Sequence, residues 1–386
     1  MGKNILLISI FFNVLFCDWE IMSFPDAFVI GHEFNEENIF IVTGEGEVYH
    51  TTDEGETWLF ISHIPDIFPY GADLFMQIDD YLFFSQNIGG ENNNYRSYYN
   101  GENWEDWEEI IYQAGTITDL IQHDNEMYTI LNNEIVKSTD FGDSWVGIGN
   151  PPEDGYLKLL LVDSDYIYVN HGCNPYRAST TTYYWENITG ILNQIGPPEP
   201  YACTSINDLE NYGNNLIISM YWYGGVGTLL SSYDSGNNWS EITTFPAVFS
   251  SGYQHSVSDL LYENGVLYAG TATSENGIYY TDNLIDWVEY SNGLSSFNLA
   301  VNQLFSTSHN LYKAGGTVNI YQNQLIDSWH LGDVNQDGIL NILDIVQMVN
   351  LVLSNEYNLI ADVNEDGSVN VLDVVMMVNI LLDGLP

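Results

Sequence analysis

The chain has 386 residues, enough for one large domain and a small one, and 45% of them are apolar, which argues against wholesale disorder. Acids outnumber bases 53 to 6, for a formal net charge of −47. Such a field excludes nucleic acid and anionic membrane surfaces as partners, favours cations and neutral polymers, and also serves simply to keep a surface soluble in a salty medium. With 28 Tyr and 10 Trp beside many Asn, Gly, Ser and Thr, the composition favours strands and turns over helices.

The first residues read as an export signal, assigned to 1–17. Lys3 supplies a positive charge, and Ile5 to Phe16 is an apolar run broken only by Ser9 and Asn13, too short to span a bilayer comfortably. Asp18 and Glu20 then turn the chain polar. Cleavage is expected near Cys17; the alternative is a lipid-attached Cys17, against which the bulk of Phe16 stands. No later segment is long and apolar enough for a membrane span, so the mature chain is expected to be secreted and extracellular. It retains Cys173 and Cys203, candidates for a disulfide between neighbouring sheet units in an oxidising compartment.

Residues 18–330 are repetitive. Thr51-Thr52-Asp53-Glu54-Gly55-Glu56-Thr57-Trp58 returns as Ser138-Thr139-Asp140-Phe141-Gly142-Asp143-Ser144-Trp145 and as Ser232-Tyr233-Asp234-Ser235-Gly236-Asn237-Asn238-Trp239. Three degenerate copies lie between and after them. Ser97 to Trp104 has Tyr99 for the Asp, Ala178 to Trp185 lacks both Asp and Gly, and Tyr280 to Trp287 keeps Asp282 but has Leu284 for the Gly. Most copies follow two strand-like runs, such as Asn38 to Val42 with Glu47 to Tyr49. A seventh unit, Asn310 to Tyr321, has the strands without the box. Units of this spacing, each about four strands, predict an all-β seven-bladed β-propeller, with Ile21 to Gly31 offering a strand to close the ring.

The repeated box has a physical logic. The Asp carboxylate accepts backbone N–H bonds within a tight turn, Gly takes a conformation closed to side chains, and Trp anchors the next strand. It resembles the Asp-box, or sialidase-type BNR, repeat, and that resemblance implies a fold rather than an activity. Sialidases of this kind hold their substrate with three arginines, and the mature chain has only Arg96 and Arg177, so that mechanism is disfavoured. The two arginines precede the box positions of their blades. If those segments are turns opposite the boxes, Tyr95, Arg96, Tyr176 and Arg177, with His171 and the blade-five residues Tyr221, Trp222 and Tyr223, line a face suited to a glycan or peptide. The plainer reading is that the arginines pair with acids and the rings pack between blades.

After residue 330 the pattern changes. Asp333-Val334-Asn335-Gln336-Asp337-Gly338-Ile339-Leu340-Asn341-Ile342-Leu343-Asp344 is matched by Asp362-Val363-Asn364-Glu365-Asp366-Gly367-Ser368-Val369-Asn370-Val371-Leu372-Asp373. Oxygen ligands recur at the first, third, fifth, ninth and twelfth places. Backbone carbonyls serve at Ile339 and Ser368, and Gly supplies the bend, as in loops that bind calcium. Each loop runs into an apolar helix. Residues 331–386 resemble the dockerin type I module, a small all-α pair of EF-hand-like loop–helix units. The resemblance implies two calcium ions and docking to a cohesin on another extracellular protein, through Ile342, Leu343, Val371 and Leu372. The alternative is that this module docks on its own propeller, since almost no linker separates them. Two functions follow: a non-catalytic propeller that binds glycan or protein within a complex, or a glycoside hydrolase of polysaccharide catabolism, with no identifiable carboxylate pair.

Overall fold

The structure is a computed structural model. It describes residues 19–325 apart from short stretches, the longest being 189–204, and, beyond them, 332, 334, 342–354, 358, 361, 363–364, 368–379 and the backbone of 380–383. Seven antiparallel sheets follow one another along the chain. Blade one consists of Val29–Asn35, Asn38–Thr43, Glu47–Thr51 and Leu59–His63; blade two of Leu74–Ile78, Tyr81–Ile88, Glu91–Tyr98 and Glu108–Glu109. Blades three to six repeat this order from Leu120–His123, Leu157–Val162, Ser205–Tyr212 and Val257–Glu263. The first strands of neighbouring blades lie against one another, and blade seven returns to blade one. The fold is therefore a seven-bladed propeller whose first strands surround the central axis.

Burial grades outward through each blade. Val266–Thr271, the second strand of blade six, is buried at every position, as a strand covered on both faces by neighbouring blades must be. The outermost strands of blades two, three, five and six have two residues each, all exposed. Edges this short leave little unpaired backbone for another chain to join.

The N-terminal strand closes the ring. Glu20 and Ile21 pair with Gln322 and Tyr321, so the outer strand of blade seven comes from the start of the chain. Closure uses the first edge of the segment expected to supply it, since Val29–Asn35 is already the inner strand of blade one. Trp19 Nε1 donates to Tyr290 O at 2.6 Å. Glu54, on the turn of blade one, accepts hydrogen bonds from Thr307 Oγ1 and the Tyr312 hydroxyl of blade seven.

The repeated turns share one geometry. Asp53 Oδ1 accepts the Thr57 N–H at 2.8 Å, Asp140 Oδ1 the Ser144 N–H at 2.8 Å, and Asp234 Oδ1 the Asn238 N–H at 2.7 Å. Gly55, Gly142 and Gly236 lie at φ of +83°, +90° and +83°, and each donates to the Ser/Thr that opens the turn. Hydrogen bonds from Thr51 and Thr57 hold the Asp53 carboxyl down at about 2, so the turn stays intact across the physiological range. In blade six the box is one residue shorter than the sequence suggests. It opens at Thr281, and Asn283, not Asp282, accepts the N–H groups of Ile285 and Asp286 at 2.8 Å.

Two helices form at the C-terminus, α1 (Ile342–Ser354) and α2 (Val371–Asp383). Their shared core is Val334, Met348, Ala361, Val363 and Met377. Val334 and Val363, and Met348 and Met377, occupy equivalent places in the two loop–helix units, so the packing reproduces the sequence duplication.

Candidate functional site

Each C-terminal helix carries an Asp in its first turn, Asp344 in α1 and Asp373 in α2, both with no exposed surface. Asp373 Oδ2 accepts the Asn370 N–H at 2.8 Å and Oδ1 the Asn364 N–H at 3.2 Å. Asn370 Oδ1 in turn accepts the Leu372 N–H at 2.9 Å, which makes Asn370 the N-cap of α2. Residues 331–386 contain no Lys, Arg or His, so no side chain of the module can neutralise the two buried carboxylates. A hard divalent cation with oxygen ligands fits that deficit. Of the other expected ligands, Asn364, Ser368 and Asn370 are described. Asp333, Asn335, Asp337, Ile339, Asn341, Asp362 and Asp366 lie outside the described residues.

The same helix starts leave apolar surface uncovered. Ile342, Leu343, Val371 and Leu372 are each more than half exposed, and Val346 and Val375 extend the patch along the helices. These are equivalent positions in the two units. Large apolar side chains left out in this way on so small a module mark a contact surface.

The propeller arginines occupy a different place from the one expected. Arg96 and Arg177 stand at the box end of the third strand, not at opposite turns, and both are buried. Arg96 donates to Glu108 at 2.7 Å, to Phe141 O at 2.6 Å and to Asp143 at 2.5 Å. Arg177 donates to Glu186, to Ser235 O at 2.5 Å and to Asn237 Oδ1 at 2.8 Å. Each therefore clamps its own blade to the box turn of the next. Tyr95, His171 and Tyr176 are also buried, so they offer no ligand surface. Tyr221 is half-buried, at the end of Asn215–Trp222; Tyr223, Cys173 and Cys203 lie outside the described residues. Arg177→Ala is expected to destabilise the propeller by about 2 kcal/mol, because it takes the guanidinium from Glu186 and Asn237 and leaves the Ser235 carbonyl to Tyr168 alone. Urea unfolding measures the loss, and Arg177→Lys should restore only part of it, since an ammonium lacks the planar fork.

A groove of about 630 Å³ opens between blades one and two. Phe40, His50 and Phe60 line it from blade one; Asp80, Tyr99, Glu102 and Trp104 line it from blade two. Trp104 meets Phe40 edge-on at 5.6 Å and Tyr99 at 5.3 Å. The turn here is the copy without its Asp: Tyr99 bridges to Trp104, and Asn100 Oδ1 accepts the Glu102 and Asn103 N–H groups.

Around the axis lies a second cluster. Asp208 accepts the Leu260 N–H at 2.7 Å and Asp259 the Leu304 N–H at 2.6 Å, while Lys158 donates to Asn207 O at 2.7 Å. The first strands bulge just before Asp208 and Asp259, which turns each bulged residue toward the neighbouring blade. Burial pushes Glu33 and Glu210 up to about 8 and raises Asp208 and Asp259. The sequence contained these acids, but nothing in it distinguished them from the rest of the 53.

Comparison with known proteins separates the two parts. The family model for the dockerin type I domain matches residues 331–382. The C-terminus is a dockerin type I domain. A domain of this type implies attachment to a cohesin-containing complex, and such domains generally bind calcium. The propeller is similar to the extracellular domain of BT4673 from B. thetaiotaomicron, a putative one component system. The TM-score is 0.58 at 14% identity, over 80% of this chain and 40% of that one. It is also similar to YCF48 bound to D1 peptide, with a TM-score of 0.56 at 13% identity over 80% and 96% of the two chains. An ancestral GH74 enzyme gives 0.55 at 10% identity over 78% and 48%. Identities this low show the fold alone. No curated protein sequence matches the chain. Among the described residues no helix is long and apolar enough to cross a membrane.

Proposed function

We propose that this is a secreted, non-catalytic Asp-box propeller that binds a glycan or protein and is held in an extracellular complex by its dockerin. One observation carries the attachment: the paired apolar residues Ile342, Leu343, Val371 and Leu372 are exposed at equivalent helix starts, each beside a buried calcium-loop Asp. Calcium shapes the loops, the loops set the helix starts, and the helix starts present the apolar pairs to a cohesin. The near-identity of the two units offers the partner two equivalent faces. Calorimetric titration against a panel of cohesins should give calcium-dependent binding to at least one. Leu343→Asp with Leu372→Asp should reduce it by about a hundredfold or more. Binding unchanged by that double substitution counts against this surface.

A glycoside hydrolase is the second reading, supported by the two carboxylates Asp80 and Glu102 beside Tyr99 and Trp104 in one groove. Its test is release of reducing sugar from a polysaccharide panel, lost in Glu102→Gln. No release from any substrate that binds would end it.

A further inference from the structure

We propose that the groove between blades one and two is a docking site for an arginine side chain of a partner protein. The proposal deepens the binding role above and rests on it for an external ligand. Its basis is the repeat itself. The residue just ahead of the box Ser/Thr is Arg96 in blade two, Lys137 in blade three and Arg177 in blade four, and each contacts a ring or turn of the following blade. The two arginines share a full set of partners. A tyrosine ring lies under each guanidinium, Tyr81 at 5.4 Å and Tyr166 at 4.7 Å. An acid of the outer strand pairs with each, Glu108 and Glu186. The next box supplies a carbonyl and a side-chain oxygen, Phe141 with Asp143, and Ser235 with Asn237.

Blade one holds His50 at this position. Its ring stacks on Phe40 at 4.4 Å and its Nε2 lies 2.7 Å from Asn38 Oδ1, within its own blade. Burial lowers its pKa, so the ring carries no charge at neutral pH. Leu59 stands opposite it where the two arginine clamps have an acid. The clamp between blades one and two therefore has no internal cation.

The receiving half is nevertheless present. Glu102 occupies the place of Asp143 and Asn237 in its turn, and among the described residues no donor reaches its carboxylate or that of Asp80. Among the described residues Trp104 Nε1–H also has no acceptor, a state shared with Trp287 of blade six, while Trp58 and Trp239 donate to Ser23 O and Gly236 O. Two carboxylates in a groove also lined by Trp104, Tyr99 and Phe60 form a site for a cation held by charge and by ring quadrupoles. A guanidinium suits it better than an ammonium, because its planar fork stacks on a ring while pairing with a carboxylate. The groove leaves room for the residues flanking that arginine, and a net charge of −47 draws a basic segment toward it.

The test uses the full chain and fluorescein-labelled Gly-Ser-Arg-Ser-Gly, with its lysine and citrulline counterparts, read by fluorescence anisotropy. Arginine should bind most tightly and citrulline at least about tenfold more weakly. Glu102→Gln and Trp104→Ala should each cost about tenfold; if Trp104→Ala fails to fold, Glu102→Gln carries the comparison. His50→Arg with Leu59→Glu should build the internal clamp, abolish peptide binding and raise the melting temperature. Equal binding of arginine and citrulline overturns the proposal, as does binding unaffected by Glu102→Gln or by the refilled clamp, or no peptide binding. A neutral hexasaccharide that binds in place of the peptide, and is lost in Trp104→Ala, overturns it in favour of a glycan groove. Cohesin titration of the same samples shows separately whether attachment through the dockerin stands.

Discussion

Chelating calcium is expected to melt the two C-terminal helices while the propeller stays folded. Asp344 and Asp373 are fully buried in a module without a single base. Without the metal no cation of the module balances those carboxylates, Asp373 keeping the N–H groups of Asn364 and Asn370 in its own loop, and so small a core cannot offset that cost. The two parts can be followed separately, because all 10 tryptophans precede residue 331 and the described α-helices both lie after it. Far-ultraviolet circular dichroism should lose its helical component in a chelator and regain it with added calcium, while tryptophan fluorescence stays native. Asp373→Asn keeps the side-chain shape but removes the charge and one of the two oxygens that accept from Asn364 and Asn370. It should weaken calcium binding by at least about tenfold. A helical signal indifferent to the chelator would refute the calcium loops.

The propeller itself should be more stable at about pH 5 than at about pH 8. Glu33 and Glu210 are held near 8 by burial, against an ordinary value of 4.5. Between those values the native state keeps protons that the unfolded chain has released. The native state thus binds more protons, and stability falls as pH rises through that window. Asp208 and Asp259 act in the same direction. Groups around them that oppose the trend are Lys158, whose charge favours the ionised acids, and His32, which burial lowers to about 4. His32 gives stability that grows as pH rises from about 4 to its ordinary 6.5, one group against four. The net effect is on the order of a few kcal/mol, reduced by the water that reaches these half-buried groups. Thermal melts followed by tryptophan fluorescence should show the decline. Glu33→Gln with Glu210→Gln should flatten it, and exposed Glu56→Gln should not. An unchanged slope in the double variant would assign the decline to general charge repulsion instead.

The box pattern was legible because local physics writes it. A turn that needs Gly at positive φ and a carboxylate to gather N–H groups constrains adjacent residues, so Thr51 to Trp58 carries its geometry in its order. The dockerin module is local in the same way: its duplicated loop pattern spans only a dozen residues in each copy. The degenerate box of blade six shows the limit. Its loss of one residue shifted the role of the Asp to Asn283, and only the hydrogen bonds revealed the new register.

The propeller residues were misplaced for a related reason. Arg96 and Arg177 share a position, just ahead of the box of their blades. Which side of the sheet and which end of the strand that position faces depends on the neighbouring blade, 47 residues away for Asp143 and 60 for Asn237. No pattern along one blade encodes that. The unfilled clamp at His50 was still less visible, since it appears only when four blade boundaries are laid side by side.

The sequence by itself determined the number of blades, the turns that define them, the change at residue 330 and the duplicated dockerin module after it. All of these arise from periodicity or from contacts a few residues apart. Tertiary structure alone decided how the ring closes on Glu20 and Ile21, which acids crowd the axis, and where a base is consumed or missing between blades. Those depend on which distant side chains meet, and among 53 acids the packing of the seven blades, not the residue type, makes a few of them distinct.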